Sequence, residues 1–276
     1  MSRLSKPREM TQPLLLVGAG RMGGALLKGW LANGFGPVVA IETHPSPELR
    51  KLTGRGVTLL KRIEDAPVNV WSCVIALKPQ ILKTEAARLK PVAQSGALMI
   101  SIAAGSSIKS MTKAWGRGAH IIRTMPNTPG AVGEGISALY APANISARER
   151  KLAESLLAAL GDTLWVKRET DIDIVTAVSG SGPAYVFLLV EALAAAAEAE
   201  GLPRDIAMRL ARKTIIGSGA LLKADTTSAE QLRRNVTSPH GTTEAALKIL
   251  MAKNGLKTLI ARAVSAARKR AKELAD

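Results

Sequence analysis

Apolar residues follow two rhythms along this chain. Up to residue 167, short apolar runs at 14–17, 38–41, 73–77, 98–102, 120–123, 136–140 and 164–167 are bounded by glycine, proline or polar residues, as strands are. Between them, 23–33, 47–53, 80–90, 108–115 and 147–160 carry apolar residues at helical spacing. Strands alternating with helices predict an α/β fold, a parallel sheet with helices on both faces. Beyond that point 171–178, 184–200, 204–222, 229–235, 243–253 and 256–274 keep the helical period, and no strand-like alternation survives. The pattern predicts an α/β domain over 1–167, with 1–12 as a disordered tail, and an all-helical domain over 168–276. The alanine-rich helical faces exceed what one small helical domain can bury, so an interface with another subunit is expected.

Composition narrows the class. With 47% hydrophobic and 22% charged residues, the chain is no disordered or low-complexity protein. The one cysteine, Cys73, excludes an intrachain disulfide. The run at 14–17 breaks at Gly18, too early for a signal-peptide core, and the stretch 184–199 contains Glu191 and Glu198. A cytoplasmic protein without a membrane partner is expected. The net charge of +16 favours anionic ligands of some kind. A nucleic-acid partner is not expected: aromatics for base stacking are only 3%, and the basic residues are spread along the chain apart from Arg268-Lys269-Arg270.

Four segments carry candidate chemistry. Gly18-Ala19-Gly20-Arg21-Met22-Gly23 stands directly between a strand and a helix, the context a dinucleotide-binding glycine turn requires. There Gly18 permits the tight turn, Gly20 lets backbone approach a pyrophosphate, and Gly23 lets helix pack on strand. After the next strand, Glu42 is placed either to bind ribose hydroxyls or within the strand, with Thr43 and His44 at the turn. Arg21, Arg50, Lys51, Lys61 and Arg62 are the alternative partners for a 2′-phosphate. The second segment, Ala76-Leu77-Lys78-Pro79, ends a buried strand at the carboxyl edge of the sheet. Near it Ala103-Ala104-Gly105 leaves room for a flat ring, and Asn127, between Pro126 and Pro129, offers an amide to a carboxamide. The third, Ser179–Ala184 in the run SGSGPA, opens a helix and suits ligand contact or tight packing equally. The fourth, 235–243, gathers four hydroxyls before a helix start. Capping alone would need fewer, which points to a small carboxylate held by backbone N–H groups. Walker loop, hydrolase nucleophile elbow and metal-ligand spacing are all absent.

Taken in order, these segments resemble the pyrroline-5-carboxylate reductase family from about Leu14 to Leu274, most specifically in 178–185 (VSGSGPAY), Gly201-Leu202-Pro203-Arg204 and 236–243 (VTSPHGTT). The resemblance implies an N-terminal Rossmann domain and a C-terminal helical dimerisation domain. It also implies reduction of the cyclic imine 1-pyrroline-5-carboxylate to L-proline, the last step of proline biosynthesis, with NADPH or, as the alternative, NADH. A homodimer through the C-terminal helices, with a decamer as the larger ring, comes with it. Carried over by position, Gly18, Ala19, Gly20, Arg21, Met22, Gly23, Ala76, Leu77, Lys78, Pro79 and Ala104 contact the dinucleotide, with Asn127 on the same edge and Asn235 beside the nicotinamide. Ser238, Gly241 and Thr242 bind the substrate carboxylate, and Thr243 is the catalytic residue at the ring nitrogen. No metal is implied.

Two places depart from the family's pattern. His240-Gly241 stands where members usually have two glycines, and Leu60-Lys61-Arg62-Ile63 replaces a stretch that often carries an asparagine near the adenosine ribose. The alternative is a related imine or hydroxyacid oxidoreductase with the same plan. The hydroxyacid reading suffers because 184–189 lacks the lysine those enzymes use as proton donor.

Overall fold

The computed structural model describes residues 12–275. Eight strands form one sheet: β1 (Leu14–Val17), β2 (Val38–Ile41), β3 (Val57–Leu60), β4 (Ser72–Ile75), β5 (Leu98–Ser101), β6 (His120–Met125), β7 (Gly135–Tyr140) and β8 (Gly161–Trp165). Their order is β3-β2-β1-β4-β5-β6-β7-β8. All neighbours pair in parallel except β6 with β7, so the last two strands run against the rest. The chain reverses its direction of travel across the sheet between β1 and β4, the position where open α/β sheets bind ligands.

Strands β1, β2, β4 and β5 are buried on both faces. Leu14 and Leu16 of β1 enter one core with Leu26, Leu27 and Trp30 of α1 (Arg21–Ala32). Leu15 and Val17 enter the other, with Leu82 of α3 (Pro79–Glu85), Val92 of α4 (Lys90–Gln94), and Met111 and Trp115 of α5 (Ile108–Trp115). Helices α2 (Pro47–Arg50) and α6 (Ala147–Leu157) complete the layers. The doubly wound class expected from the pattern is what forms. Several elements differ from expectation, three of them in kind or at the start. β3 was not anticipated; β8 begins at Gly161 rather than 164; and the helix expected over 80–90 is split by a 3-10 turn at Ala86–Leu89 before Pro91.

Contacts divide the chain into two units, one holding residues up to Gly180 and from Ala267, the other Ser181–Ala266. The division falls after Gly180 rather than at 167–168, because α7 (Asp171–Val175) and the π-turn Thr176–Gly180 belong to the sheet's unit. Ile172 and Ala177 are buried there, and Asp173 is ion-paired to Arg123 of β6 at 3.1 Å.

The second unit is helical: α8 (Gly182–Ala199), α9 (Arg204–Ala224), α10 (Ala229–Asn235), α11 (Thr242–Leu250) and the first part of α12 (Leu256–Ala275). α8 packs along α9, yet buries only Ala194, leaving Phe187 60% and Leu188 63% exposed. The continuous stretch Asp171–Ala199 is long and apolar enough to cross a membrane by length and composition. Its first turns carry the buried Arg123–Asp173 ion pair of the sheet's unit.

Candidate active site

The glycine turn has the geometry its sequence implies. Gly18 has φ +89°, and a Cβ there would lie 2.8 Å from the Ala76 carbonyl oxygen. A Cβ on Gly23 would lie 2.0 Å from the Gly18 carbonyl oxygen, so helix α1 sits on the turn with no room for a side chain. Gly20 is the opposite case, with nothing within 4 Å of its added Cβ. It also N-caps α1 without any side-chain hydrogen bond, and the first turn holds no acidic residue. Open space beside uncapped helical N–H groups fits a pyrophosphate.

Two cavities extend from this turn along the carboxyl edge of the sheet. One, of about 490 Å³, takes in Gly18, Gly20, Arg21, Glu42, Lys61 and Leu77 among its walls. The other, of about 280 Å³, is lined by Met22, Pro79, Ala104, Asn127 and Gly180, with Ala76, Leu77 and Lys78 shared between the two. The structure thus gathers the glycine turn, 76–79, Ala104 and Asn127 at one edge. Ala19 faces a third hollow, of about 570 Å³, on the α1 side of Glu42.

The Asn127 amide is less available than its loop suggested. Its Oδ1 accepts from the Ile136 backbone at 2.9 Å and its Nδ2 donates to Ser179 Oγ at 3.2 Å. One N–H is left for a ligand. The residue lines the cavity while tying β7 to the π-turn, where helices commonly widen at functional sites.

Sequence reasoning missed the ion pairs beneath. Buried Arg123 donates to Glu169 and to Asp173, each at 3.1 Å, and Glu169 also accepts from the Ile108 backbone at 2.7 Å. This fastens the entry of α7 and the start of α5 to β6, whose end leads into Pro126 and Asn127. Partners 46 and 50 residues away along the chain leave no local signal.

In the helical unit, α10 ends at Asn235 and α11 starts at Thr242. Asn235 Oδ1 accepts from Gln231 Nε2 at 2.8 Å, which leaves its N–H₂ outward. Gly241 N-caps α11 with no side-chain hydrogen bond. Among the described residues the hydroxyls of Ser238, Thr242 and Thr243 make no hydrogen bond, while Thr237 bonds back to the Arg233 carbonyl at 2.7 Å. Thr243 is half-buried; Ser238 and Thr242 are exposed. The loop therefore offers free helical N–H groups and three unspent hydroxyls to an anion. His240 keeps the left-handed conformation, φ +58°, that a glycine would adopt freely. Its N–H donates to Glu244 at 2.8 Å, so the turn is closed from within α11.

Comparison with known proteins shows the family. Residues 169–274 match the family "Pyrroline-5-carboxylate reductase dimerisation", and residues 14–105 match "NADP oxidoreductase coenzyme F420-dependent". A pyrroline-5-carboxylate reductase of Pseudomonas aeruginosa is 39% identical over 268 residues, 96% of this chain and 98% of that one. A solved structure of the Coxiella burnetii reductase covers 96% of this chain and 99% of its own, at 35% identity and TM-score 0.87. That of Plasmodium falciparum pyrroline carboxylate reductase with NADP bound covers 97% and 99%, at 30% identity and TM-score 0.81. With a glycine turn at a helix start in one unit, an uncapped helix start in the other, and likeness along almost its whole length, the chain belongs to the pyrroline-5-carboxylate reductase family.

Proposed function

We infer that this chain is a pyrroline-5-carboxylate reductase, an NAD(P)H-dependent oxidoreductase that converts 1-pyrroline-5-carboxylate to L-proline in proline biosynthesis. The observation that carries the reading within its family is the uncapped start of α11, with the hydroxyls of Ser238, Thr242 and Thr243 unspent. When bound, the dinucleotide supplies a hydride to the imine carbon, and the ring nitrogen gains a proton. The residues suited to hold it are Gly18–Gly23, Ala76–Pro79, Ala104 and Asn127, with the free amide N–H₂ of Asn235 assigned to the nicotinamide carboxamide.

The remaining work falls to positioning. Ser238, Thr242 and the backbone N–H groups from Thr242 onward grip the carboxylate, with the Gly241 N–H bonded to the Ser238 carbonyl at 3.0 Å to hold the turn beside it. Thr243 hydrogen-bonds the ring nitrogen and steers the proton to it. A protonated imine is already electrophilic, so a weak, well-placed hydroxyl suffices. Holding two reactants at near-attack distance is worth on the order of 7 kcal/mol. The chain works as a homodimer through its C-terminal helices, with a decamer as the larger assembly, in the cytoplasm. The test is Thr243→Ala: turnover of pyrroline-5-carboxylate should fall ~100-fold or more, while dinucleotide affinity stays at the wild-type value. Retained turnover would remove Thr243 from the reaction.

A further inference from the structure

Glu42 lies at the carboxyl tip of β2, where its backbone N–H is hydrogen-bonded to the Leu60 carbonyl of β3 at 3.0 Å. Its side chain is fixed as well: Oε2 accepts from the Ala19 N–H inside the glycine turn at 3.0 Å, and Oε1 accepts from the His44 N–H at 3.1 Å. The carboxylate forms part of the wall of both the 490 Å³ cavity and the hollow on its α1 side. It braces the turn that approaches the pyrophosphate and stands in the ligand's path along the sheet edge.

We propose that Glu42 determines dinucleotide selectivity in this chain, favouring a bare adenosine ribose over one bearing a 2′-phosphate. The proposal rests on the reading of this sheet edge as the dinucleotide site. An ionised carboxylate has about four acceptor positions, and two are taken by backbone N–H groups. The other two can accept from ribose hydroxyls. A 2′-phosphate dianion has no hydrogen to offer, and it meets a like charge that two backbone bonds hold in place.

The neighbouring cations do not offset this. Arg62 lies 3.7 Å from Glu64 and 3.8 Å from Asp65, and Arg88 pairs with Glu64 at 2.8 Å and Glu85 at 3.0 Å. Arg21 and Lys61 have no carboxylate within ion-pair distance among the described residues. Both are exposed on long flexible stems, where solvent and salt weaken their pull.

The experiment is calorimetric titration of wild type and Glu42→Gln with NADP⁺ and with NAD⁺, without imine. Glutamine keeps an acceptor for one backbone N–H, and any slackening of the turn acts on both ligands alike, so it cancels in the ratio of their Kd values. That ratio, NADP⁺ over NAD⁺, should fall roughly tenfold or more in the variant. In wild type alone, 5′-AMP should bind more tightly than adenosine 2′,5′-bisphosphate, which tests the idea even if the variant fails to fold. An unchanged ratio, or a wild-type preference for the bisphosphate, overturns the proposal. If wild type binds neither dinucleotide, the sheet-edge reading itself falls and takes the proposal with it.

Discussion

A single added carbon should have opposite effects at two glycines of the same turn. At Gly23 it would collide with the Gly18 carbonyl oxygen, a backbone atom of the turn that cannot yield without moving the strand end. Gly23→Ala should therefore cost about 3 kcal/mol or more of stability, as overpacking of backbone does. At Gly20 the carbon enters open space, so Gly20→Ala should fold with a melting temperature near wild type and lose dinucleotide affinity instead. Paired thermal melts and NAD(P)H titrations check both; a folded, cofactor-binding Gly23→Ala protein would contradict the packing role. Legibility also varies by residue. The three glycine roles could be read from spacing, because backbone sterics alone dictate them. Glu42 and Asn127 could be placed but not assigned, since Ala19 and Ser179, 23 and 52 residues away along the chain, reach them only through the fold.

Among elements, the buried strands announced themselves and the exposed ones did not. β1, β2, β4 and β5 are continuous apolar runs because both faces are covered. β3 is a four-residue edge strand whose Thr58 faces solvent, and β8 alternates half-buried and exposed residues from a glycine start. Neither presents an apolar run at its true beginning. Helix α6 shows what an element's first turn can add. Ser146 and Glu149 form a reciprocal capping box, and Glu149 also bonds His120 Nδ1 at the start of β6. Partial burial works against ionisation of Glu149, but the hydrogen bonds from Ser146 and His120 outweigh it and hold the carboxyl below its ordinary range. A lowered carboxyl pKa stabilises the folded state above the ordinary glutamate value and loses that contribution as pH falls through the lower folded value. Glu149→Gln should therefore destabilise the protein at pH 7 and converge with wild type only once the pH has fallen below the lowered folded value. Denaturant melts at both pH values measure this, and a gap that persists in acid would place the effect elsewhere than the charge.

For the molecule as a whole, the helical unit leaves its apolar side unpartnered within one chain. Val186, Phe187, Leu188 and Leu189 of α8, with Leu210 and Ile216 of α9, are each at least 41% exposed. The match to a dimerisation family supports a homo-oligomer, and the proposed homodimer would cover this surface with a second copy. Leu188→Glu should yield a smaller species by light scattering and a lower melting temperature, because an unpaired charge would enter an apolar interface. Wild-type assembly by that variant would move the interface off α8. The +16 charge has a plainer meaning at this scale. An anionic coenzyme and an anionic imino acid are both drawn towards a positively charged protein.

The start of α11 was described as a helix without a cap of its own. Serine side chains cap α2, α5, α6 and α10; at α11 the first-turn N–H groups are left, in the proposed function, to the substrate carboxylate. Occupancy and rigidity then become one quantity, and the small molecule acts as a removable piece of the protein's own architecture.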